Sequence, residues 1–240
     1  MSIPEYLLAA LLIAAGAGTQ ACIGIGMGLI AGPVLVVIEP TFVPGPMLMV
    51  AGGINVRNAI ADRASLNVAA LRRQLTAAPL GLAGGVTLLA SLSSRSLAIA
   101  VSVFVLLAVG VQGAGTRPPE GRLADYAAGA GTAFSSSVAA VPGPVYAVFA
   151  SHWPPAALRA TLATYMLAVG TSIIVTLAVI GEFGLRQLWF GLALLPAVAL
   201  GLPLGRWLRP RLAGPLFRVI VLSVAATSAT AVLLRQLVNG

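Results

Sequence analysis

Two apolar stretches of this chain are interrupted by helix-breaking residues, and these interruptions limit the folds that are open to it. Residues 24–38 read GIGMGLIAGPVLVVI and residues 135–149 read SSSVAAVPGPVYAVF, so Gly-Pro-Val begins at Gly32 in one stretch and at Gly143 in the other. Broken backbone at membrane depth has N–H and C=O groups that need partners, so it is tolerated only inside protein or beside a cavity. Paired interruptions in the two halves of a chain indicate a transporter's binding site.

The composition is that of a multi-pass membrane protein. Hydrophobic residues make up 59% of the 240 residues, charged residues make up 8%, and the mean hydropathy is +1.00. Such a chain cannot cover itself with a polar surface as a soluble domain does. The net charge of +8 comes from arginines that are scattered among apolar spans, so we expect no nucleic-acid partner and use the arginines to predict orientation instead.

The cysteine content and the N-terminal sequence narrow the possible classes of protein further. The single Cys22 excludes an internal disulfide and argues against a thiolate metal site. We expect neither a metal nor a cofactor. No basic segment precedes the first apolar run, so the first helix is predicted to be retained rather than cleaved.

Apolar runs of about 18 residues or more, the length that crosses ~30 Å of hydrocarbon, predict six membrane helices. They lie near residues 45–62, 74–92, 96–114, 156–180, 187–205 and 214–236. Each half begins with a longer stretch, residues 6–38 and 123–149, and folding each one into a re-entrant hairpin accounts for its length. Whether these first segments are re-entrant or cross fully stays open.

Short internal matches and arginine placement predict two inverted repeats. The tripeptide that begins at Arg73 recurs at Arg186, and the arginine clusters 63–73 and 206–211 follow different connections in the two halves. If both clusters face the cytoplasm, the halves are upside down relative to each other. We therefore predict an all-α polytopic membrane protein with repeats 1–115 and 123–240, a linker 116–122, and a broken or re-entrant hairpin followed by three transmembrane helices in each repeat. Eight simple crossings with parallel halves are the alternative.

The glycine-rich broken segments from Gly24 to Val34 and from Gly131 to Val145 resemble those of the TauE/SafE family of sulfite and organosulfonate exporters. The likeness spans essentially the whole chain, although this chain has alternating glycines in the first half and three serines in the second where the family usually has tighter glycine runs. The resemblance implies a secondary transporter, not an enzyme. It would export a small sulfur-containing anion, sulfite or a short-chain sulfonate, across the bacterial inner membrane.

The candidate substrate-binding residues are small and polar residues of the two tips and of the helices that follow. They are Gly24, Gly26, Gly28, Gly32, Asn55, Arg57, Ser135, Ser136, Ser137, Gly143 and Ser172. Short helices that begin near Pro33 and Pro144 would aim their positive ends at the membrane centre, and the glycines would let an anion approach the backbone. The alternative is that glycine and serine merely permit close helix packing.

Three of the polar candidates have a second interpretation. Arg57 inside a membrane span is a functional hypothesis because its insertion costs at least ~2.5 kcal/mol, but it can also snorkel to the headgroups. Ser172 can bond to its own helix backbone instead of to a substrate. Asp62 is the acid closest to the membrane interior, so we name it as the candidate for proton coupling, with snorkelling as the alternative.

Two other functions compete with a secondary transporter. The chain can be a permease subunit that depends on a separate ATPase, since it has no nucleotide-binding motif of its own. An intramembrane hydrolase would pair a serine of 135–137 with His152, but this histidine lies beside two prolines at the end of a segment, which is unfavourable for a base. The expected partners are the anion and the lipid bilayer, and a homodimer stays open.

Overall fold

The computed structural model describes residues 3–23, 27–113, 119–150, 152–212 and 215–238, and every regular element in these ranges is helical. Short 3-10 turns at Pro40–Phe42 and Arg63–Ser65 precede the third and fourth helices. The α-helices, numbered in chain order, are α1 (Ile3–Ile23), α2 (Met27–Ile38), α3 (Gly45–Ala61), α4 (Val68–Ser91), α5 (Ser94–Gly113), α6 (Arg122–Ala139), α7 (Pro142–Ala150), α8 (Pro155–Val179), α9 (Leu185–Leu212) and α10 (Pro215–Val238).

Five described helices, α4, α5, α8, α9 and α10, are long and apolar enough to cross a membrane. The six membrane helices predicted from apolar runs correspond to these five and to α3, so the prediction of an all-α polytopic membrane protein is confirmed. One boundary differs. Helix α4 begins at Val68 rather than near residue 74, because the Asn67 side chain accepts a hydrogen bond from the Ala70 N–H and caps the helix ahead of its two arginines.

The longer apolar stretch of each half forms two helices that fold back on each other. In the first hairpin, α1 and α2, a Cβ added at Gly16 would lie 3.0 Å from the Met27 Cα. In the second hairpin, α6 and α7, a Cβ at Gly131 would lie 3.2 Å from the Val145 Cγ1. Helix α6 ends at Ala139, and the capping residue Ala140, whose φ of 52° is left-handed, redirects the chain into α7.

Of the two short helices, α7 begins near the predicted proline and α2 does not. Helix α7 begins at Pro142, close to the predicted Pro144, and proline suits a first turn because the N–H it lacks has no helical partner there. Helix α2 begins at Met27, and Pro33 lies buried inside it. A proline inside a helix removes one backbone hydrogen bond. Surrounding protein makes this tolerable at membrane depth, so Pro33 does not end the helix.

The two halves interlock. The most extensive helix contacts join α1 to α9, α4 to α6, α3 to α8 and α5 to α10, and each of these pairs takes one helix from each half. If each helix is replaced by the helix five places away in the chain, the same four pairs are obtained. The pair α1 and α9, for example, becomes the pair α6 and α4. The halves are therefore not separate domains. The division into inverted repeats at residues 115 and 123 stays a prediction.

Ion pairs mark one end of the helical body. Asp62, which follows α3, binds Arg159 in the first turns of α8 with an N–O distance of 2.8 Å, and Arg73 near the start of α4 binds Asp125 of α6 at 2.8 Å. Helices α4, α6 and α8 therefore all begin here. We call this the Arg159 end. Helix α6 enters the body from it, and α7 returns toward it.

The opposite end is marked by Glu39. This residue follows α2 and binds Arg186 at the start of α9 with an N–O distance of 2.7 Å, and near the same end the Tyr6 hydroxyl of α1 donates a hydrogen bond to the Ala193 carbonyl at 2.6 Å. We call this the Glu39 end. The first hairpin begins and ends at the Glu39 end, and the second hairpin begins and ends at the Arg159 end.

Candidate functional site

A cavity of about 40 Å³ lies where the tips of the two hairpins meet. A buried water needs about 10–15 Å³ of cavity volume, so the cavity has room for about three waters. Both tips and the central pair of helices, α3 and α8, supply its walls. The lining residues are Gln20, Met27, Gly28, Leu29, Met47, Leu48, Ala51, Asn55, Ala140, Val141, Pro142, Gly143, Leu162 and Met166. We call it the central cavity.

The two tips touch at Gly28. A Cβ at this position would collide with the Ala140 carbonyl oxygen and would lie 3.2 Å from the Val141 Cγ2. Glycine is therefore required for this approach of the two backbones. Gly32, one turn further along α2, is less constrained, because a Cβ there would lie 3.6 Å from the Val101 Cγ1, an ordinary contact distance.

Two side-chain amides supply the polar groups of the central cavity. Asn55 of α3 is 7% exposed, and Gln20 lies in the last turns of α1. Neither amide has a side-chain hydrogen bond to another residue in the part of the chain that the structure describes. Each amide has two N–H donors, so both can donate to an oxyanion. No charged side chain is among the described lining residues.

Two helix starts also face the central cavity. The first residues of α2, Met27 to Leu29, and of α7, Pro142 and Gly143, all line it. The start of a helix presents unbonded N–H groups and a partial positive charge, which favours an anion. Because Pro142 and Pro144 have no N–H, the first turn of α7 offers the N–H groups of Gly143 and Val145. The cavity thus combines amide and main-chain donors without a formal charge.

The structure brings three predicted site residues together at this cavity, namely Gly28, Asn55 and Gly143. Gly24 and Gly26 lie outside the described residues. Gly32 is buried nearby in α2 but does not line the cavity.

The three consecutive serines are buried but face their own helix. The Ser135 and Ser136 hydroxyls donate to the Thr132 carbonyl at 3.2 and 2.6 Å, and the Ser137 hydroxyl donates to the Ala133 carbonyl at 2.9 Å. A hydroxyl that bonds to a carbonyl in the preceding turn has given its hydrogen to the backbone. None of the three lines the central cavity.

The remaining candidates, Arg57, Asp62 and Ser172, do not line the central cavity. Arg57 is half-buried, with its Nη1 3.5 Å from the Asn58 Oδ1. Asp62 makes a two-point contact with Arg159, at 2.8 Å from Nε and 3.3 Å from Nη2, so its charge is paired. Ser172 is exposed, and its hydroxyl donates to the Ala168 carbonyl at 3.0 Å.

Gln20 and the methionines of the cavity wall were not among the site residues predicted from the sequence. Gln20 is a polar residue inside an apolar stretch, directly before the glycine run, and an uncompensated polar residue in such a stretch is itself a signal of function. Met27, Met47 and Met166 had no comparable signal, because methionine in an apolar span is ordinary. Their soft, flexible side chains adapt to a small solute better than branched ones do.

A family model described as "Sulfite exporter TauE/SafE" matches residues 8–232, which is nearly the whole chain. Searches of the curated proteins and of the solved structures find no significant match.

Proposed function

The chain belongs to the TauE/SafE sulfite exporter family, and on this premise we propose that it is a secondary transporter that exports sulfite or a short-chain organosulfonate. The central cavity carries the proposal, because it offers N–H donors from both hairpin tips within one small space. A sulfonate or sulfite has three acceptor oxygens and needs several converging donors. Gln20, Asn55 and the starts of α2 and α7 are the donors to which we assign this role.

Alternating access is the proposed mechanism. The hairpins approach the central cavity from opposite ends of the molecule, and their tips touch at Gly28 and Ala140. If the halves are inverted copies, the state that opens to the Arg159 end has a counterpart of similar energy that opens to the Glu39 end. Relative movement of the two halves around the tips would then expose the anion to each side in turn.

The distribution of arginines supports an orientation in the bacterial inner membrane. Arg63, Arg72, Arg73, Arg122 and Arg159 lie in the helix starts and turns of the Arg159 end, and α9 carries the 206–211 cluster in its last turns. Cytoplasmic connections are enriched in arginine and lysine. We therefore assign the Arg159 end to the cytoplasm, so that export runs toward the Glu39 end.

Flux measurements in proteoliposomes test the proposed function. Liposomes that contain the purified chain and are loaded with radiolabelled sulfite should release it down its gradient without ATP. The Gln20→Leu/Asn55→Leu double variant should bind sulfite at least ~10-fold more weakly, since each hydrogen bond to a charged group contributes about 1.5–3 kcal/mol. The matched control is Gln236→Leu, which removes an amide near the end of α10 and should leave flux and affinity unchanged.

Two results would contradict the proposal. Flux that requires an added ATPase would make the chain a permease subunit. Wild-type sulfite affinity in the double variant would mean that the central cavity is not the binding site.

A further inference from the structure

A second group of buried polar side chains lies between the central cavity and the Arg159 end. It contains Gln74 of α4, Tyr146 of α7 and Tyr165 of α8, together with Thr132 of α6, and each is at most 1% exposed. The Tyr165 hydroxyl donates to the Gly129 carbonyl of α6 at 2.6 Å, one turn before Thr132. We call this group the tyrosine cluster. Its members line neither the central cavity nor the surface cavity at the Arg159 end.

The tyrosine cluster contains two polar atoms without a hydrogen-bond partner in the described ranges, the Gln74 Nε2 and the Thr132 Oγ1. The Gln74 Oε1 accepts a hydrogen bond from the Tyr146 hydroxyl at 3.1 Å. Exchanging the oxygen and nitrogen of this amide would still leave one N–H unbonded. Buried donors are nearly always paired, so an unbonded one requires an explanation. A solute that passes during transport is such an explanation.

Aromatic contact connects the tyrosine cluster to the surface. At the Arg159 end a cavity of about 240 Å³ is bordered by Arg73, Arg122, His152 and Trp153, among others. The Trp153 ring meets the Tyr146 ring edge to face, with centroids 6.3 Å apart. Trp153, which lines the surface cavity, is therefore in contact with the tyrosine that bonds to the buried Gln74 amide.

The tyrosine cluster also reaches the central cavity. The Tyr146 and Tyr165 rings lie 6.4 Å apart. The residue after Tyr165 is Met166, which lines the central cavity and lies 3.7 Å from the Ser136 hydroxyl. The Ser136 hydroxyl also donates to the Thr132 carbonyl at 2.6 Å, so Ser136 connects the cavity wall at Met166 to the main chain of the tyrosine cluster. A route between the two cavities would therefore pass along the cluster. Because all four side chains of the cluster are buried, this route is closed in the structure.

We propose that the tyrosine cluster is a transit site for a small oxyanion between the central cavity and the Arg159 end, and that the Gln74–Tyr146 hydrogen bond is its gate. This inference rests on the proposed transport function. Breaking the bond frees the Tyr146 hydroxyl, which joins the Gln74 amide and the Thr132 hydroxyl as neutral donors along the route. Neutral donors hold an anion weakly enough to release it, as conduction requires.

Thiol labelling tests whether the route opens. The variant Thr132→Cys, made in a Cys22→Ala background, replaces a buried hydroxyl with a thiol of similar size. In lipid nanodiscs this thiol should react with 2-sulfonatoethyl methanethiosulfonate, an anionic reagent, in sulfite-free buffer because sulfite cleaves the product. The matched control is Ser102→Cys, equally buried on α5 but bonded to the Ala98 carbonyl and outside the route, which should stay unlabelled.

Removal of the polar pair provides a second measurement. In Gln74→Leu/Tyr146→Phe both partners become apolar together, so neither is left unsatisfied and folding is little affected. Sulfite flux should fall at least ~10-fold while equilibrium affinity stays unchanged, because the central cavity is intact. A Tyr6→Phe control, which removes a tyrosine hydrogen bond near the Glu39 end, should transport normally.

The two proposals fail in different ways. If wild-type liposomes move sulfite but Thr132→Cys is as unreactive as Ser102→Cys, the transit site is refuted and the transport function stands. Wild-type flux in the double variant would refute the gate in the same manner. If wild-type liposomes move no sulfite, the transport function fails first, whatever the labelling shows.

Discussion

The two hairpins share a layout but supply different chemical groups to the centre of the protein. The first hairpin contributes the Gln20 amide and a glycine tip at Gly28, whereas the second contributes the main chain of residues 140–143 and turns its serine hydroxyls into its own helix. Similar helix breaks in sequence have thus led to a side-chain amide together with main-chain N–H groups in the first hairpin, and to main-chain N–H groups without a lining amide in the second. A small anion held by both would depend on the two hairpins unequally.

The long arms of the hairpins are much more alike. Helix α1 packs on α9, and α6 packs on α4, through glycines at which a Cβ would collide with or press on the facing backbone, namely Gly18, Gly201 and Gly205 in one pair and Gly81, Gly85 and Gly129 in the other. Close backbone approach through small residues is how membrane helices associate, since lipid provides no hydrophobic drive. Packing is therefore common to both hairpins, and the cavity chemistry is where they diverge.

The largest effect should come from separating the tips. Gly28→Ala places a methyl group against the Ala140 carbonyl, so sulfite flux in proteoliposomes should fall at least ~10-fold and stability should drop by about 1–3 kcal/mol. The control is Gly52→Ala on α3, where nothing lies within 4 Å and the helix should be stabilised by up to about 1 kcal/mol. Normal flux in Gly28→Ala would show that the tips need not touch.

A smaller and symmetrical effect is expected for the long arms. Gly81→Ala presses on the Ala130 carbonyl, and Gly201→Ala presses on the Ala14 carbonyl. Each should lower stability in detergent by about 1–3 kcal/mol, measured by thermal unfolding. Gly110→Ala on α5, which meets no atom within 4 Å, serves as the reference. A loss of stability in only one of the two variants would show that the two long arms are not equivalent.

The smallest expected effect is on sulfite affinity, to which the polar groups of the two hairpins should contribute differently. Gln20→Ala should weaken sulfite binding about 10-fold, the value of one hydrogen bond to an anion. Ser137→Ala should change affinity less than about 2-fold, because its hydroxyl bonds to the Ala133 carbonyl. Ser172→Ala is the reference, being exposed and bonded to its own helix. If isothermal titration shows a larger loss of sulfite affinity for Ser137→Ala than for Gln20→Ala, the assignment of donors is wrong.

Much of the fold was predictable because a membrane span must satisfy its own backbone and face lipid, which requires a long apolar run. The prediction of helices near residues 96–114 and 156–180 agrees closely with α5 and α8. The early start of α4 was missed because Arg72 and Arg73 were treated as part of a connection. They lie within the helix at its capped end.

The candidate site was predictable only in part. Gly28, Asn55 and Gly143 were identified as small or polar residues in apolar sequence, and they line the central cavity. Ser137 has the same local signal but points elsewhere. Its Cβ faces α4, where a Cβ at Gly85 would lie only 2.7 Å away, so helix packing orients it. The rotation of α6 is set by that contact, which no local pattern specifies.

The sequence by itself determined the class of the protein and most of its helical spans, since these follow from apolar run length. It also located the break before α7, but it misplaced the starts of α2 and α4. The tertiary structure alone decided which polar groups meet. Asp62 shows this best, because its partner Arg159 lies 97 residues further along the chain. Such a pair arises from the antiparallel packing of α3 on α8, and so does the face that Asn55 presents to the cavity. The physical reason is that packing contacts between distant helices select one rotation of each helix, and that rotation sorts its polar side chains among cavity, core and lipid.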